Sequence, residues 1–246
     1  MLKNILLIIE YCGKNYAGWQ RQLNGISVQE KIENAIQELT GQKININGSG
    51  RTDAKVNALG QCANFKIDCS IPPSNFGMAL NSILPEDIRV IESLEADMDF
   101  HARYSATGKY YRYTILNRRM PSAIYKHTTC HIKQPLDVDK MIRASSYFIG
   151  EHDFCGFMSA GSNIKKTVRT IYSLDITQDG SLIYIDIKGN GFLYNMVRII
   201  AGTLAEVGKG SIPVDEVGAI LLSCDRSRCG PTLKASGLCL MEVYYD

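Results

Sequence analysis

Apolar residues in the first half of the chain follow two spacings, which predict strands and helices. The apolar run at residues 4–11 predicts a buried strand. Ser27 followed by Glu30 predicts a capping box, and the apolar residues behind it share one face of a helix that ends near Gly41. Further elements are predicted as strands at 44–46, 62–67 and 88–94 and as a short helix at 74–83. The predicted order of this half is therefore β-α-β-β-α-β.

The second half repeats this order with one additional helix. Asp137 predicts the cap of a helix that ends at Gly150, and Asp179-Gly180 predicts a hairpin turn. Other elements are predicted as strands at 110–116, 167–177, 182–188 and 238–245, as a helix at 192–207 and as a shorter helix opened by Pro213. Each half matches the split β-α-β, ferredoxin-like pattern. We therefore expect an α+β protein with one half at 1–100 that carries a loop at 48–58, and a second half at 101–246.

Cationic residues are concentrated in one segment, although the formal charge of the chain is only +2. Residues 101–133 contain five tyrosines and no Asp or Glu, whereas residues 86–99 contain six acidic residues and one arginine. The cations of the first segment are Arg103, Lys109, Arg112, Arg118, Arg119, Lys126 and Lys133. Cations can hold phosphates and tyrosines can stack on bases, whereas a pair of solvated strands is the alternative. If the two antiparallel sheets join side by side, this segment predicts a basic cleft at their centre.

The eight cysteines are scattered and form no C-x-x-C pair. The apolar run near the start is too short for the core of an export signal, and no apolar run approaches the length that spans a bilayer. We therefore expect reduced thiols in a cytoplasmic protein without a membrane segment. His127, Cys130 and His131 are close in sequence, but a further firm ligand is missing and the neighbours are cationic. No metal site is expected.

The most unusual segment is Gly48–Ala54, which reads Gly-Ser-Gly-Arg-Thr-Asp-Ala. It lacks the third glycine of a dinucleotide fingerprint and the Gly-Lys-Ser/Thr ending of a phosphate loop. Arg51 and Asp53 are two residues apart, so an extended backbone would point both side chains the same way. A neighbouring guanidinium keeps a carboxylate ionised, and an ionised carboxylate can act as a nucleophile or a base. Spacing alone leaves open a surface turn with a local salt bridge.

Segments along the whole chain resemble the tRNA pseudouridine synthase A family. Residues Gly48–Gln61 (GSGRTDAKVNALGQ) look like the family's signature loop, which is usually close to GAGRTDAGVHALGQ. The other similar segments, in chain order, are Tyr11–Gln22, Ser27–Glu30, Asp99–Thr107, Tyr111–Tyr113, Gly150–Phe154, Gly189–Gly202 and Gly237–Tyr244. The resemblance implies two ferredoxin-like halves, a homodimer, no metal or organic cofactor, and action on uridines 38–40 in the anticodon arm of tRNA.

The resemblance also implies roles for individual residues. Asp53 occupies the position of the essential aspartate, which attacks or deprotonates the target nucleoside, and Tyr111 occupies the position of a tyrosine that stacks on the target base. Arg51 and Arg198 occupy the positions of arginines that flank the aspartate and help to turn the base out. Thr52 lies between Arg51 and Asp53 in the loop and is expected to support these two residues.

Three positions depart from the family pattern. Lys55 replaces the usual glycine two residues after the aspartate, Asn57 replaces a common histidine, and Cys12 stands where an aspartate is typical. Lys55 adds a cation that could hold a phosphate or change which RNA is accepted. The departures leave the predicted chemistry intact and put the substrate positions in question.

The residues themselves leave alternatives at two of these positions. Strand alternation puts Tyr111 and Tyr113 on one face and Tyr110 on the other, so at least one of the three is expected in the core. Arg198 lies among apolar neighbours on a predicted helix, where it must either pair, with Asp53 as a candidate, or extend to solvent.

Three alternatives to tRNA-uridine isomerisation remain at the level of function. A noncatalytic RNA-binding or RNA-folding module could use the same scaffold, and a paralogue could modify a different uridine. A small-molecule glycosyl-transferring enzyme would show little salt sensitivity, against which the basic segment argues.

Overall fold

The computed structural model describes residues 1–161 and 164–245, and the chain forms two compact units. Unit 1 comprises Met1–Thr107 and Leu240–Asp246, and unit 2 comprises Gly108–Cys239. Among the described residues, no helix combines the length and the apolar character needed to cross a membrane.

Unit 1 contains a mainly antiparallel sheet with two helices. Its elements are β1 (Leu2–Tyr11), α1 (Val28–Thr40), β2 (Asn47–Gly48), β3 (Asn57–Asp68), α2 (Phe76–Asn81) and β4 (Ile88–Ala96). β1 runs antiparallel between β3 and β4, and β2 pairs with β3. Ile5 pairs with Phe65, and the Phe65 ring meets the ring of Phe76 edge-on at 5.6 Å. The first residue of α2 therefore packs against β3.

The predicted start and end of α1 are confirmed. The Ser27 hydroxyl accepts a hydrogen bond from the Glu30 amide at 3.2 Å, and Gly41 closes the helix with a left-handed φ of 73°. A hydroxyl at this position satisfies an amide that has no partner inside the helix. A glycine adopts the left-handed conformation without the steric cost that a Cβ imposes.

The strand predicted at residues 44–46 is wrong, since the ladder includes only Asn47 and Gly48. The backbone of Ile46 instead bonds to side chains of α1: its amide donates to the buried Glu33 carboxylate at 3.1 Å. Its carbonyl accepts from the Gln29 side chain at 3.3 Å. Helix side chains therefore satisfy backbone groups that a strand would have paired.

Unit 2 contains mainly antiparallel strands and three helices. Its elements are β5 (Ala106–Asn117), β6 (Cys130–Ile132), α3 (Val138–Ser145), β7 (Gly150–Asp153), β8 (Val168–Asp179), β9 (Leu182–Gly189), α4 (Met196–Lys209) and α5 (Glu216–Ser223). β9 lies between β5 and β8, β7 pairs with β8, and β6 pairs with β5 in parallel. Short β6 and β7 were not predicted, and α3 ends four residues before the apolar pattern does. The α+β class is confirmed.

The last strand, β10 (Leu238–Tyr245), contributes its residues from Leu240 onward to unit 1. The Tyr245 hydroxyl donates to the Ala102 carbonyl at 2.8 Å, and its ring lies 5.0 Å from that of Phe100. These contacts attach the C-terminal strand to the segment that follows β4.

One pair of cysteines corrects the expectation of eight reduced thiols. Cys155 and Cys224 form a disulfide, with Cα atoms 5.3 Å apart and a sequence separation of 69 residues. The remaining six cysteines are thiols. The pair was missed because its members come together only when the chain after α5 packs against the segment after β7.

Candidate active site

The predicted catalytic loop leaves β2 and returns to β3, and its first residues are fixed to β3. The Ser49 amide donates to the Cys62 carbonyl at 2.8 Å. The Ser49 hydroxyl donates to the Gln61 side chain at 2.6 Å, and the same Gln61 donates to the Gly50 carbonyl at 3.0 Å. Because Gln61 is fully buried, this network holds the start of the loop against the sheet.

Exposure alternates along the three candidate residues of the loop. Arg51 is exposed, Thr52 is buried and Asp53 is half-buried. This alternation is consistent with the expectation that Arg51 and Asp53 point to the same side of an extended backbone. The Thr52 side chain points inward and shares a 2.7 Å hydrogen bond with the hydroxyl of Tyr11. The buried Thr52 side chain, which anchors the loop, and the half-buried Asp53 are therefore adjacent in the chain.

A tight turn follows Asp53. The Val56 amide donates to the Asp53 carbonyl at 3.1 Å, and Lys55 inside this turn has a φ of 66°. That left-handed conformation explains why the family pattern has a glycine here, since glycine has no Cβ to clash with the following carbonyl. The Lys55 side chain is exposed.

Asn57, the second departure from the family pattern, has a structural contact in this protein. It is buried, and its side-chain oxygen accepts a hydrogen bond from the Gly13 amide at 2.9 Å. The bond ties the first residue of β3 to the segment that follows β1.

In unit 2, the tyrosines of β5 alternate as predicted. Tyr113 is fully buried and donates to the Lys234 carbonyl at 2.7 Å, so it is the tyrosine that belongs to the core. Tyr111 shares its face, is 8% exposed, and meets the ring of Phe192 edge-on at 5.2 Å. Packing therefore fixes the orientation of the Tyr111 ring.

Tyr110 lies on the opposite face of β5 in a charged cluster. Its hydroxyl donates to Asp186 at 2.7 Å, and Arg112 makes two hydrogen bonds to the same carboxylate at 2.7 and 2.9 Å. Burial and the hydrogen bond to Asp186 raise the pKa of Tyr110 to about 12. Asp186 therefore fixes both side chains in place on this face.

Arg198 lies in the first turn of α4 and is half-buried. Its Nε donates to the Leu233 carbonyl at 2.7 Å, and its Nη1 donates to the side-chain oxygen of Asn195. Asn195 has a φ of 62° and also donates to the Ser159 hydroxyl at 2.9 Å. A cation is disfavoured at a helix N-terminus, and these acceptors offset that cost while fixing the direction of the guanidinium.

The structure thus brings Arg51, Thr52 and Asp53 together on one loop of unit 1, and it places Tyr111 and Arg198 in unit 2. Three residues that contact these candidates were not predicted as site residues. They are Tyr11, which bonds to Thr52, Phe192, which packs against Tyr111, and Asn195, which accepts from Arg198. All three lie in segments that resemble the family, and this resemblance could have indicated them.

His127, Cys130 and His131 are close in sequence, but no metal site was predicted for them. In the structure, the His131 ring bonds to the Arg118 carbonyl at 2.8 Å and Cys130 is buried. Among the residues that the structure describes, the one cluster of possible metal ligands is Asp153, Cys155 and Cys224. Its two sulfur atoms are bonded to each other, so this cluster does not present a thiolate pair.

Comparisons with known proteins cover nearly the whole chain. Residues 7–105 and 144–246 match the family model described as tRNA pseudouridine synthase, and Tyr111 is the one candidate residue outside the matched ranges. The chain is 52% identical over 244 residues to tRNA pseudouridine synthase A of Acetivibrio thermocellus, across 99% of this chain and 100% of that protein. It is 46% identical over 244 residues to the protein of the same name from a Thermoanaerobacter species, with the same coverage. Among solved structures, the crystal structure of a Cbf5-Nop10-Gar1 complex is similar at 12% identity and a TM-score of 0.39, over 96% of this chain and 58% of that one.

Proposed function

This chain belongs to the tRNA pseudouridine synthase family and is therefore an isomerase, and we propose that it converts uridine to pseudouridine at positions 38, 39 and 40 in the anticodon stem-loop of tRNA. The reaction breaks the bond from N1 of uracil to C1′ of ribose and forms a bond from C5 to C1′. A proton leaves C5 and N1 gains one, so the product is an isomer of the substrate.

The observation that carries the proposal is the anchored backbone on both sides of Asp53 in the catalytic loop. Asp53 is half-buried, and the backbone before and after it is held by buried contacts through Thr52 and Val56. A catalytic group gains most when its orientation is set before the substrate arrives, because less ordering remains to be done in the transition state. Asp53 acts as nucleophile or as base.

The target nucleotide must leave its stack before this carboxylate can reach it, which costs a few kcal/mol. Stacking on Tyr111 offsets roughly 1–3 kcal/mol of that cost. Because Phe192 already holds the Tyr111 ring, little conformational entropy is lost when a base docks. Arg198, whose direction is set by Leu233 and Asn195, binds the displaced phosphate or fills the space that the base leaves.

The family resemblance also gives expectations about assembly and cofactors. We expect a homodimer that needs neither a metal nor an organic cofactor. These remain predictions that gel filtration and an assay in the presence of a chelator can test.

The experiment is a comparison of wild-type protein with Asp53→Asn on tRNA labelled with tritium at C5 of uridine. We expect the wild type to release tritium and to form pseudouridine at positions 38–40. Asp53→Asn should release none while its Kd for tRNA changes by less than about threefold. Asp175→Asn is the matched control, since it removes the same charge from an exposed position on β8 and should keep full activity.

Each alternative predicts a different result. Turnover by Asp53→Asn would refute the role of Asp53. Tight tRNA binding by the wild type without tritium release would identify a noncatalytic RNA-binding module. Pseudouridine at other positions would identify a family member with a different uridine target.

A further inference from the structure

The segment that follows β1 forms a cradle for the catalytic loop; we use this term for residues 11–19. The Trp19 amide donates to the Thr52 carbonyl at 3.1 Å, and the Lys55 amide donates to the Tyr16 carbonyl at 3.2 Å. The two bonds lie on either side of Asp53 in the sequence. The loop is thus held by the cradle on both sides of its carboxylate.

Two glycines allow the cradle to approach the loop this closely. A Cβ on Gly13 would lie 2.1 Å from the Val56 carbonyl oxygen. A Cβ on Gly18, which has a φ of 105°, would lie 2.5 Å from the Thr52 carbonyl oxygen. Since both obstacles are backbone atoms, any larger residue would displace the loop or the cradle.

One residue outside the cradle, Asp87, makes hydrogen bonds to it. The Asp87 side chain accepts hydrogen bonds from the Tyr16 hydroxyl at 2.5 Å and from the side-chain amide of Asn15 at 2.9 Å. The Asp87 carbonyl accepts from the Cys12 amide at 3.0 Å. Asp87 therefore ties three residues of the cradle to the segment that precedes β4.

One contact between cradle and loop joins two side chains. The hydroxyls of Tyr11 and Thr52 share a hydrogen bond of 2.7 Å, and the residues are only 3% and 6% exposed. Trp19 packs beside Tyr11, with ring centroids 6.1 Å apart. Thr52 is thus fixed through its side chain by Tyr11 and through its carbonyl by Trp19. With both groups of Thr52 held, the backbone that aims the next residue, Asp53, has little freedom.

We propose that Tyr11 is a positioning residue, whose hydrogen bond to Thr52 holds the Asp53 carboxylate in its reactive orientation. The proposal rests on the proposed role of Asp53. Tyr11 is 3% exposed, and its hydroxyl is bonded to the hydroxyl of Thr52, the residue that precedes Asp53 in the loop. A displacement of about 1 Å in a catalytic group can cost about a hundredfold in rate.

The test uses Tyr11→Phe, Thr52→Val and the double variant, with kcat, KM and thermal stability measured for each. Either single variant removes the bond between the two buried hydroxyls and keeps one of them, so it should lower stability. The double variant replaces both hydroxyls by apolar groups of similar shape and should recover stability. We expect kcat to fall at least tenfold in all three variants, with KM and the Kd for tRNA changed by less than about twofold. A low kcat in the stable double variant is the result that a purely structural role does not produce.

Ser93→Ala is the matched control. The Ser93 hydroxyl is buried in the same unit and accepts from the Gly77 amide at 2.9 Å, away from the catalytic loop. It should lose stability comparable to that of Tyr11→Phe and keep its kcat within about twofold.

The outcomes separate this proposal from the proposed function. If the wild type forms pseudouridine and the double variant regains both stability and kcat, the positioning role is refuted and the proposed function stands. Equal losses of kcat in Ser93→Ala and Tyr11→Phe also refute it. If the wild type itself forms no pseudouridine in any tRNA, both proposals fail together. Should Tyr11→Phe not fold, Thr52→Val and the double variant give the same answer.

Discussion

The left-handed conformation of Lys55 predicts that replacing this residue by glycine stabilises the protein. Lys55 lies in the turn from Asp53 to Val56 with a φ of 66°. Its amide bonds to the Tyr16 carbonyl, and glycine retains that amide. The substitution therefore relieves the backbone and leaves its hydrogen bonds in place.

The expected magnitude is the difference between two effects. The Cβ of a residue in the left-handed region costs roughly 1–2 kcal/mol. Glycine has a more flexible unfolded state, which opposes the gain by about 0.4–1 kcal/mol. Lys55→Gly should therefore raise the free energy of unfolding by about 1 kcal/mol, which corresponds to a rise in Tm of about 2–4 °C for a chain of this size.

Lys55→Ala is the control, because it removes the same charge and keeps a Cβ at the strained position. Its stability should differ from that of the wild type by less than about 0.5 kcal/mol. Calorimetry of the three proteins measures the effect. If Lys55→Ala is stabilised as much as Lys55→Gly, the gain comes from the charge and the backbone argument is wrong.

The same pair of variants tests whether the Lys55 cation contacts RNA. A lysine that neutralises a phosphate contributes about one unit to the slope of log K against log salt, so both variants should show the same reduced slope. An unchanged slope in both would show that the exposed amine does not contact a phosphate.

Two further predictions concern unit 2. Gly202→Ala should cost about 3 kcal/mol or more in chemical denaturation, because its Cβ would lie 1.8 Å from the Pro231 carbonyl oxygen. Gly208→Ala should cost about 1 kcal/mol or less, because its Cβ would meet side-chain atoms alone, those of Met141 at 2.9 Å and of Leu136 at 3.3 Å. Equal costs would contradict the argument from close backbone approach. Burial raises the pKa of the Cys229 thiol from 9.0 to about 11, so its alkylation at pH 8 should be about a hundredfold slower than that of an ordinary thiol and should rise about tenfold per pH unit up to pH 10. Mass spectrometry of the labelled peptide measures this rate, and a rate that levels off near pH 9 would show that the thiol has an ordinary pKa.

Features that depend on neighbouring residues were predictable from the sequence. The Ser27 cap, the Gly41 terminus and the cap of α3, where Asp137 accepts from the Lys140 amide at 3.0 Å, involve groups within a few residues of each other. The Asp179-Gly180 turn joins β8 and β9 as expected. Alternation along β5 likewise placed Tyr110 opposite its neighbours, since side chains alternate across any strand.

Predictions failed where distant groups competed for the backbone or for a side chain. The apolar pattern of residues 44–46 is typical of a strand, yet its backbone bonds to side chains of α1, and no local pattern reveals that competition. The disulfide was likewise not predicted, because Cys155 and Cys224 are 69 residues apart in the sequence and no local pattern shows that they meet.

The candidate site shows both kinds of feature, those that depend on neighbouring residues and those that depend on distant ones. The sequence by itself determined which residues are candidates for chemistry, because Arg51, Thr52 and Asp53 are adjacent and their loop has a recognisable pattern. Only the tertiary structure decided how that loop is held, since Tyr11 reaches Thr52 across 41 residues and the cradle reaches the loop through glycine contacts. The physical reason is that a hydrogen bond between buried groups depends on their positions in the folded chain, which the register of β1 against β3 sets and the identity of the residues does not.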